Sequence, residues 1–241
     1  MPAITIENLT KKYKDTVAVD GLSLKVEKGE LFSLLGVNGA GKTTTIKMLS
    51  CLTTADGGDA FLNGYSIQRD IAKVKEIIAE SPQETAVAPN LTVKENLELI
   101  CGVHGFSKEE TNEKVKEQSE LLGLTAILNK KAAKLSGGYK RRLSIAMALI
   151  SEPEILFLDE PTLGLDVLAR ADLWDIIKEL KGKITIVLTT HYMEEAEALS
   201  DRIAIMKDGK LLICDTCEKI KEIAKTDNFE EAFVNIVRGA K

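Results

Sequence analysis

Aromatic residues are scarce in this chain: they make up 5% of 241 positions, with a single tryptophan. That excludes a stacking platform for single-stranded nucleic acid as the main device of the protein. A cationic excess is also missing. Lys and Arg number 32 against 37 Asp and Glu, a formal net charge of −5, which argues against nucleic acid as a partner. Cysteine is confined to Cys51, Cys101, Cys214 and Cys217, a usage suited to reduced thiols rather than to a disulfide framework. Cys214 and Cys217 have C-x-x-C spacing, but a zinc site needs two more ligands and neither His104 nor His191 is near in sequence. With no thioredoxin-like pattern around it, the spacing reads as coincidence. No apolar run approaches the roughly 18 residues of a membrane span. Met1-Pro2-Ala3-Ile4-Thr5-Ile6-Glu7 has neither the basic start nor the apolar core of a leader. The expectation is a soluble, intracellular protein whose membrane role comes through partners.

What is present begins with a phosphate loop. Gly36-Val37-Asn38-Gly39-Ala40-Gly41-Lys42-Thr43 fits the pattern G-x-x-x-x-G-K-[ST]. Its glycines let the backbone curl so that successive N–H groups point at phosphate oxygens. Lys42 supplies a point charge for the terminal phosphates, and the Thr43 hydroxyl is a magnesium ligand. The apolar run 30–35 reads as a buried strand entering the loop. Residues from Thr44 to 52 read as the helix after it, which offers its N-terminus to an anion. The chain is therefore expected to bind a nucleoside triphosphate.

A second half-site comes later. Ile155-Leu156-Phe157-Leu158 is continuously apolar, as a strand buried on both faces should be. It ends in Asp159-Glu160, where a parallel strand delivers side chains to a ligand crevice. Asp159 is placed to hold magnesium and Glu160 to polarise an attacking water. Just upstream, Leu135-Ser136-Gly137-Gly138-Tyr139 precedes an apolar helical run.

With 44% hydrophobic residues the chain can build one large core. Strands are expected at 3–9 and 22–26, alternating as half-exposed antiparallel strands do. Turns follow at 56–59 and 63–64 around a short strand at 60–62, and a strand at 77–80 runs toward Gln83. Residues 92–103 and 108–122 carry helical periodicity, with Thr92 and Glu95 spaced as a capping box. Afterwards strand and helix alternate: helix 167–180, strand 184–189, helix 193–199, strands 202–207 and 210–214, then an amphipathic tail. That rhythm implies a mostly parallel sheet with helices on both faces.

Taken together, these motifs resemble the ATP-binding cassette (ABC) ATPases over essentially the whole length. The resemblance implies an α/β fold: a P-loop NTPase core with a mostly parallel sheet, an N-terminal antiparallel β subdomain and an inserted α-helical subdomain. The implied division is a nucleotide-binding core at 1–84 and 150–217, a helical signature subdomain at 85–149 and a C-terminal helical tail at 218–241. It further implies ATP and Mg2+ as cofactors. Tyr13 stands where the family stacks a ring on adenine; on its own it also reads as a half-buried strand tyrosine. Gln83 matches the lid glutamine, which touches magnesium and the reacting water. Ser136, Gly137 and Gly138 match the signature, with Tyr139 where Gln or Met is more usual, and form an anion site for ATP held by the other subunit. Asp166, in Gly164-Leu165-Asp166, matches the loop that crosses the dimer seam. His191 matches the switch histidine that orients water with Glu160. Lys140-Arg141-Arg142 reads as a solvated basic face, and His104 as an exposed turn residue. The implied partners are a second copy or a homologous ATPase subunit and integral membrane subunits, with the chain peripheral on the inner face of the cell membrane. The segments 189–197 and 229–233 look most like export-type ATPases. A soluble, non-transport ABC ATPase, such as an assembly scaffold, is the alternative.

Overall fold

The computed structural model describes residues 2–239. Met1, Ala240 and Lys241, at the ends of the expected core and tail, lie outside the described residues. In chain order the strands are β1 (Ile4–Tyr13), β2 (Thr16–Val26), β3 (Leu31–Gly36), β4 (Gly57–Leu62), β5 (Tyr65–Ser66), β6 (Ile78–Ser81), β7 (Ile155–Asp159), β8 (Thr185–Thr190), β9 (Arg202–Lys207) and β10 (Lys210–Asp215). The helices are α1 (Lys42–Leu49), α2 (Ile71–Ile77), α3 (Val93–Val103), α4 (Lys108–Leu121), α5 (Gly137–Leu149), α6 (Val167–Leu180), α7 (Met193–Leu199), α8 (Cys217–Ala224) and α9 (Phe229–Gly239).

The apolar strands β3, β7 and β8 lie side by side at the centre of a six-stranded sheet ordered β10-β9-β3-β8-β7-β6. All neighbours in it are parallel except β10 with β9. Because side chains alternate across a strand, each central strand feeds two cores. Leu156 and Leu158 of β7 and Ile186 and Leu188 of β8 join the core built with α3, α5 and α6. Ile155, Phe157 and Val187 point the other way, into a core shared with α1 and the N-terminal strands. Burying a side chain such as Phe157, 0% exposed, contributes about 1.5–3 kcal/mol. This two-sided burial is why these strands read as continuous apolar runs.

The N-terminal strands form a four-stranded antiparallel sheet ordered β2-β1-β4-β5. The helices of the middle segment begin where the caps predict. Thr92 Oγ1 accepts from Glu95 N at 3.1 Å, and Thr92 N donates to Glu95 Oε2 at 2.7 Å. Ser107 and Glu110 repeat this box at the start of α4. Among the described residues, no helix is long and apolar enough to cross a membrane.

Several local expectations need correction. Residues 57–59 are not a turn but the start of β4, held by pairing to β1 across a register shift. The strand expected at 77–80 is β6, displaced to Ile78–Ser81 by α2, a helix the sequence reading lacked. The helix after the phosphate loop starts earlier, at Lys42, and ends at Leu49.

Candidate functional site

β3 delivers the chain into the phosphate loop, and α1 leaves it. Gly41 caps α1 with φ 101°, and a Cβ there would stand 2.4 Å from the Ala18 carbonyl oxygen. Only glycine fits both demands. The cap has no side-chain bond to the first turn, so the leading N–H groups of α1 remain available to an anion. A cavity of about 490 Å³ opens over this turn, lined by Asn38, Gly39, Ala40, Gly41, Lys42, Thr43, Thr44, Gln83, Glu160 and His191, with Thr16, Ala18 and Leu163. Seven consecutive loop and helix positions, Asn38 to Thr44, thus meet Gln83, Glu160 and His191, which lie about 40 to 150 residues further along the sequence.

Lys42 is 6% exposed. Its Nζ donates to the Gly36 carbonyl at 2.7 Å and lies 3.5 Å from Glu160 Oε1. Glu160 is also buried, and its Oε2 stands 2.7 Å from His191 Nδ1. Glu160 adopts φ 48°, a left-handed conformation that costs a non-glycine residue about 1–2 kcal/mol. Its N–H is anchored to Thr189 through both the carbonyl and the hydroxyl, each at 3.1 Å. Strand β8 therefore holds the turn that aims Glu160 at His191.

Asp159 ends β7 at 3% exposure. Thr43 Oγ1 donates to Asp159 Oδ1 at 3.1 Å, and the Thr189 hydroxyl donates to the same oxygen. Thr189 carried no sequence signal as a site residue; it reads as an ordinary β-branched strand position. Behind it lies another buried acid. Glu195 of α7 is 0% exposed and accepts from Trp174 Nε1 at 3.2 Å. Burial pushes its carboxyl above the ordinary range, against the Thr190 and Thr162 hydroxyls and the Trp174 indole. Its Oε2 has no hydrogen-bond partner among the described residues.

Other expected site residues stand elsewhere. Tyr13 ends β1 at 46% exposure, with Lys11 Nζ 5.4 Å from its ring centroid. Its hairpin partner Thr16 lines the cavity. Ser136 caps α5 and Asp166 caps α6, the latter accepting from Ala169 N at 2.9 Å. The two helix starts pack together: a Cβ on Gly138 would lie 3.1 Å from the Ala169 Cβ. Ser136, Gly137, Gly138 and Asp166 are not part of the cavity wall.

The basic run 140–142 is not a uniformly solvated face. Arg141 is 4% exposed and donates to the Pro82 and Gln83 carbonyls, both at 2.6 Å. Helical geometry turns it inward beside Ser144, three positions on, while Arg142 reaches Asp172 at the surface. His104 does cap α3 in the open, stacked on Phe106. The four thiols are free, and burial pushes Cys217 up to about 11, so it is a poor nucleophile.

The family model described as ABC transporter matches residues 19–163. The Linearmycin resistance ATP-binding protein LnrL of Bacillus subtilis is 42% identical over 211 residues, covering 87% of this chain and 68% of that protein. The Probable multidrug ABC transporter ATP-binding protein YbhF of Escherichia coli is 38% identical over 240 residues, 97% of this chain and 41% of its own length. The human Phospholipid-transporting ATPase ABCA3 is 41% identical over 91% of this chain, which spans only 13% of that much longer protein. Among solved structures, one described as an ATP binding subunit of an ABC transporter superposes with a TM-score of 0.86 at 28% identity, over 97% of this chain and 99% of that one. A dimeric post-hydrolysis state of the ATP-binding cassette MJ0796, bound to ADP and Pi, matches with a TM-score of 0.80 at 27% identity, over 88% and 98%. The chain belongs to the ABC transporter family.

Proposed function

We propose that this chain is the motor subunit of an ABC exporter and works as a head-to-tail pair with ATP at the interface. The observation that carries the reading is a division of labour. The phosphate loop, Gln83, Glu160 and His191 share one cavity, while Ser136, Gly137, Gly138 and Asp166 form a separate cluster at two helix starts. A helix N-terminus with two glycines is a ready anion site, and in this reading it serves the triphosphate held by the partner chain. The relatives named for multidrug transport and linearmycin resistance support the outward direction.

In this reading Lys42 and the first N–H groups of α1 hold the β- and γ-phosphates. Glu160 takes the proton of the attacking water or orients it, and His191 orients Glu160 and contacts the γ-phosphate. Thr43, Asp159 and Gln83 supply hard oxygen donors for magnesium. The donors fit: Thr43 Oγ1 and Asp159 Oδ1, a hydroxyl and a carboxylate oxygen, are 3.1 Å apart. That suits an ion that keeps most of its shell from water and phosphate oxygens. Bound there, magnesium offsets the charge that develops on the transferring phosphoryl group. Tyr13 stacks on the base at the cavity rim. The helical segment 85–149 passes the opening of the pair to integral membrane subunits, with the core at 1–84 and 150–217 and the tail at 218–241. The chain then lies peripherally on the inner face of the membrane.

The test uses a residue outside the cavity. Gly138→Asp places a negative charge at the α5 N-terminus and is expected to leave ATP affinity intact while abolishing turnover. Full turnover in that variant would show that each chain hydrolyses ATP without its neighbour.

A further inference from the structure

α5 touches the nucleotide machinery at two places. Its N-terminus carries the Ser136 cap and the exposed Gly137. Arg141 lies further in, about 7.5 Å along the helix from Ser136. There its guanidinium donates to two successive carbonyls, Pro82 and Gln83, both at 2.6 Å. Gln83 itself lines the cavity beside Glu160 and His191. One turn deeper, Ser144 Oγ meets Ser81 Oγ at 2.9 Å, at the end of β6. The strand end and the loop after it are therefore strapped to one face of one helix, in the order Ser81, Pro82, Gln83.

We propose that Arg141 is a positioning residue that fixes Gln83 in one nucleotide cavity to the helix whose N-terminus closes the cavity of the partner chain. This rests on the paired arrangement proposed above. A helix is stiff along its axis, so a displacement of the Ser136 end by the partner's triphosphate reaches Arg141 largely undiminished. The planar fork of the guanidinium fixes direction as well as distance. Both carbonyls move with it, and the Gln83 side chain follows. Occupancy of one site thereby sets the lid of the other. The arginine is nearly sealed from water, so no bulk solvent competes for its bonds to the loop.

The test is steady-state hydrolysis by the full chain against ATP concentration, with thermal melts of every variant. Wild type is expected to be cooperative, with a Hill coefficient well above 1 and no higher than about 2, the number of sites. Arg141→Met is expected to bring the coefficient to about 1 and to lower kcat, with the ATP affinity of a single site retained. Arg141→Lys keeps the charge but not the fork and should recover only part of the loss. Arg142→Met, which removes the surface bond to Asp172, should stay cooperative. If Arg141→Met does not fold, the Lys variant decides: wild-type cooperativity in it overturns the proposal. An Arg141→Met protein that melts lower but keeps wild-type cooperativity overturns it too, since the residue is then only structural. Cooperativity absent from a wild type that still pairs with ATP by light scattering overturns the inference and leaves the paired reading; absent together with that pairing, it sinks both. Cooperativity present in wild type and unchanged in the variants sinks the inference alone.

Discussion

Replacing Glu160 by glutamine exchanges one carboxylate oxygen for an NH2 group and isolates one chemical property. The side chain is 8% exposed, with one oxygen 2.7 Å from His191 Nδ1 and the other 3.5 Å from Lys42 Nζ. The amide is of equal size, so the cavity keeps its shape. It cannot accept a proton from water at useful pH. A general base of this kind contributes roughly 10²–10⁴ in rate, which corresponds to about 2.7–5.4 kcal/mol in the barrier at 1.36 kcal/mol per decade. Binding should move the other way. The carboxylate sits against Lys42, the lysine proposed to receive the terminal phosphates, so removing its charge should free Lys42 and lift a repulsion with the triphosphate. Two like charges about 4 Å apart repel by roughly 4 kcal/mol at an effective dielectric near 20. ATP affinity is therefore expected to hold or tighten. The assay is phosphate release per chain, paired with displacement of a fluorescent nucleotide. Turnover within about threefold of wild type would refute the role of Glu160, because no general base is worth so little. Unchanged turnover with weakened binding would recast it as a binding residue.

Lys42→Ala removes a charge-assisted contact worth about 1.5–3 kcal/mol, or roughly 10- to 100-fold in ATP affinity; an unchanged Kd by equilibrium titration would contradict the phosphate-loop role. Glu195→Gln tests the buried acid behind the site. Its folded-state pKa is raised above the ordinary value of 4.5, so the stability it confers is complete below that value and is lost as pH rises through the folded value. The variant does not titrate. Its Tm advantage over wild type should therefore widen from pH 5 to pH 8, by about 2–4 °C for each kcal/mol. A gap that widens toward acid would reverse the sign of the argument.

The parts of the site that were legible in sequence are those fixed by local chemistry. The phosphate loop must place its glycines where the backbone turns sharply, and Gly41 at φ 101° shows why that position admits nothing else. Asp159 and Glu160 were legible because four apolar residues buried on both faces precede them. Thr189 and Arg141 were not. Thr189 fits a buried strand on propensity alone, and its hydroxyl acquires a task only when β7 lies beside β8. Arg141 sits in a run of three cations, which reads as solvated until the helix is docked against the Gln83 loop. The same limit governs the fold. β3, β7 and β8 announce themselves by continuous apolar character. The short α2 carries three charged or polar positions among its seven and buries only Val74. β4 opens on two glycines that read as a turn and become a strand only through pairing with β1.

The most direct test of the account is specific activity against protein concentration, with saturating ATP and magnesium and dimer formation followed in parallel by light scattering. If each nucleotide is completed by a neighbouring chain, turnover per chain should fall as the protein is diluted and recover on concentration, in step with ATP-dependent pairing. Turnover per chain that stays constant down to concentrations at which only single chains are present would contradict the account at its centre.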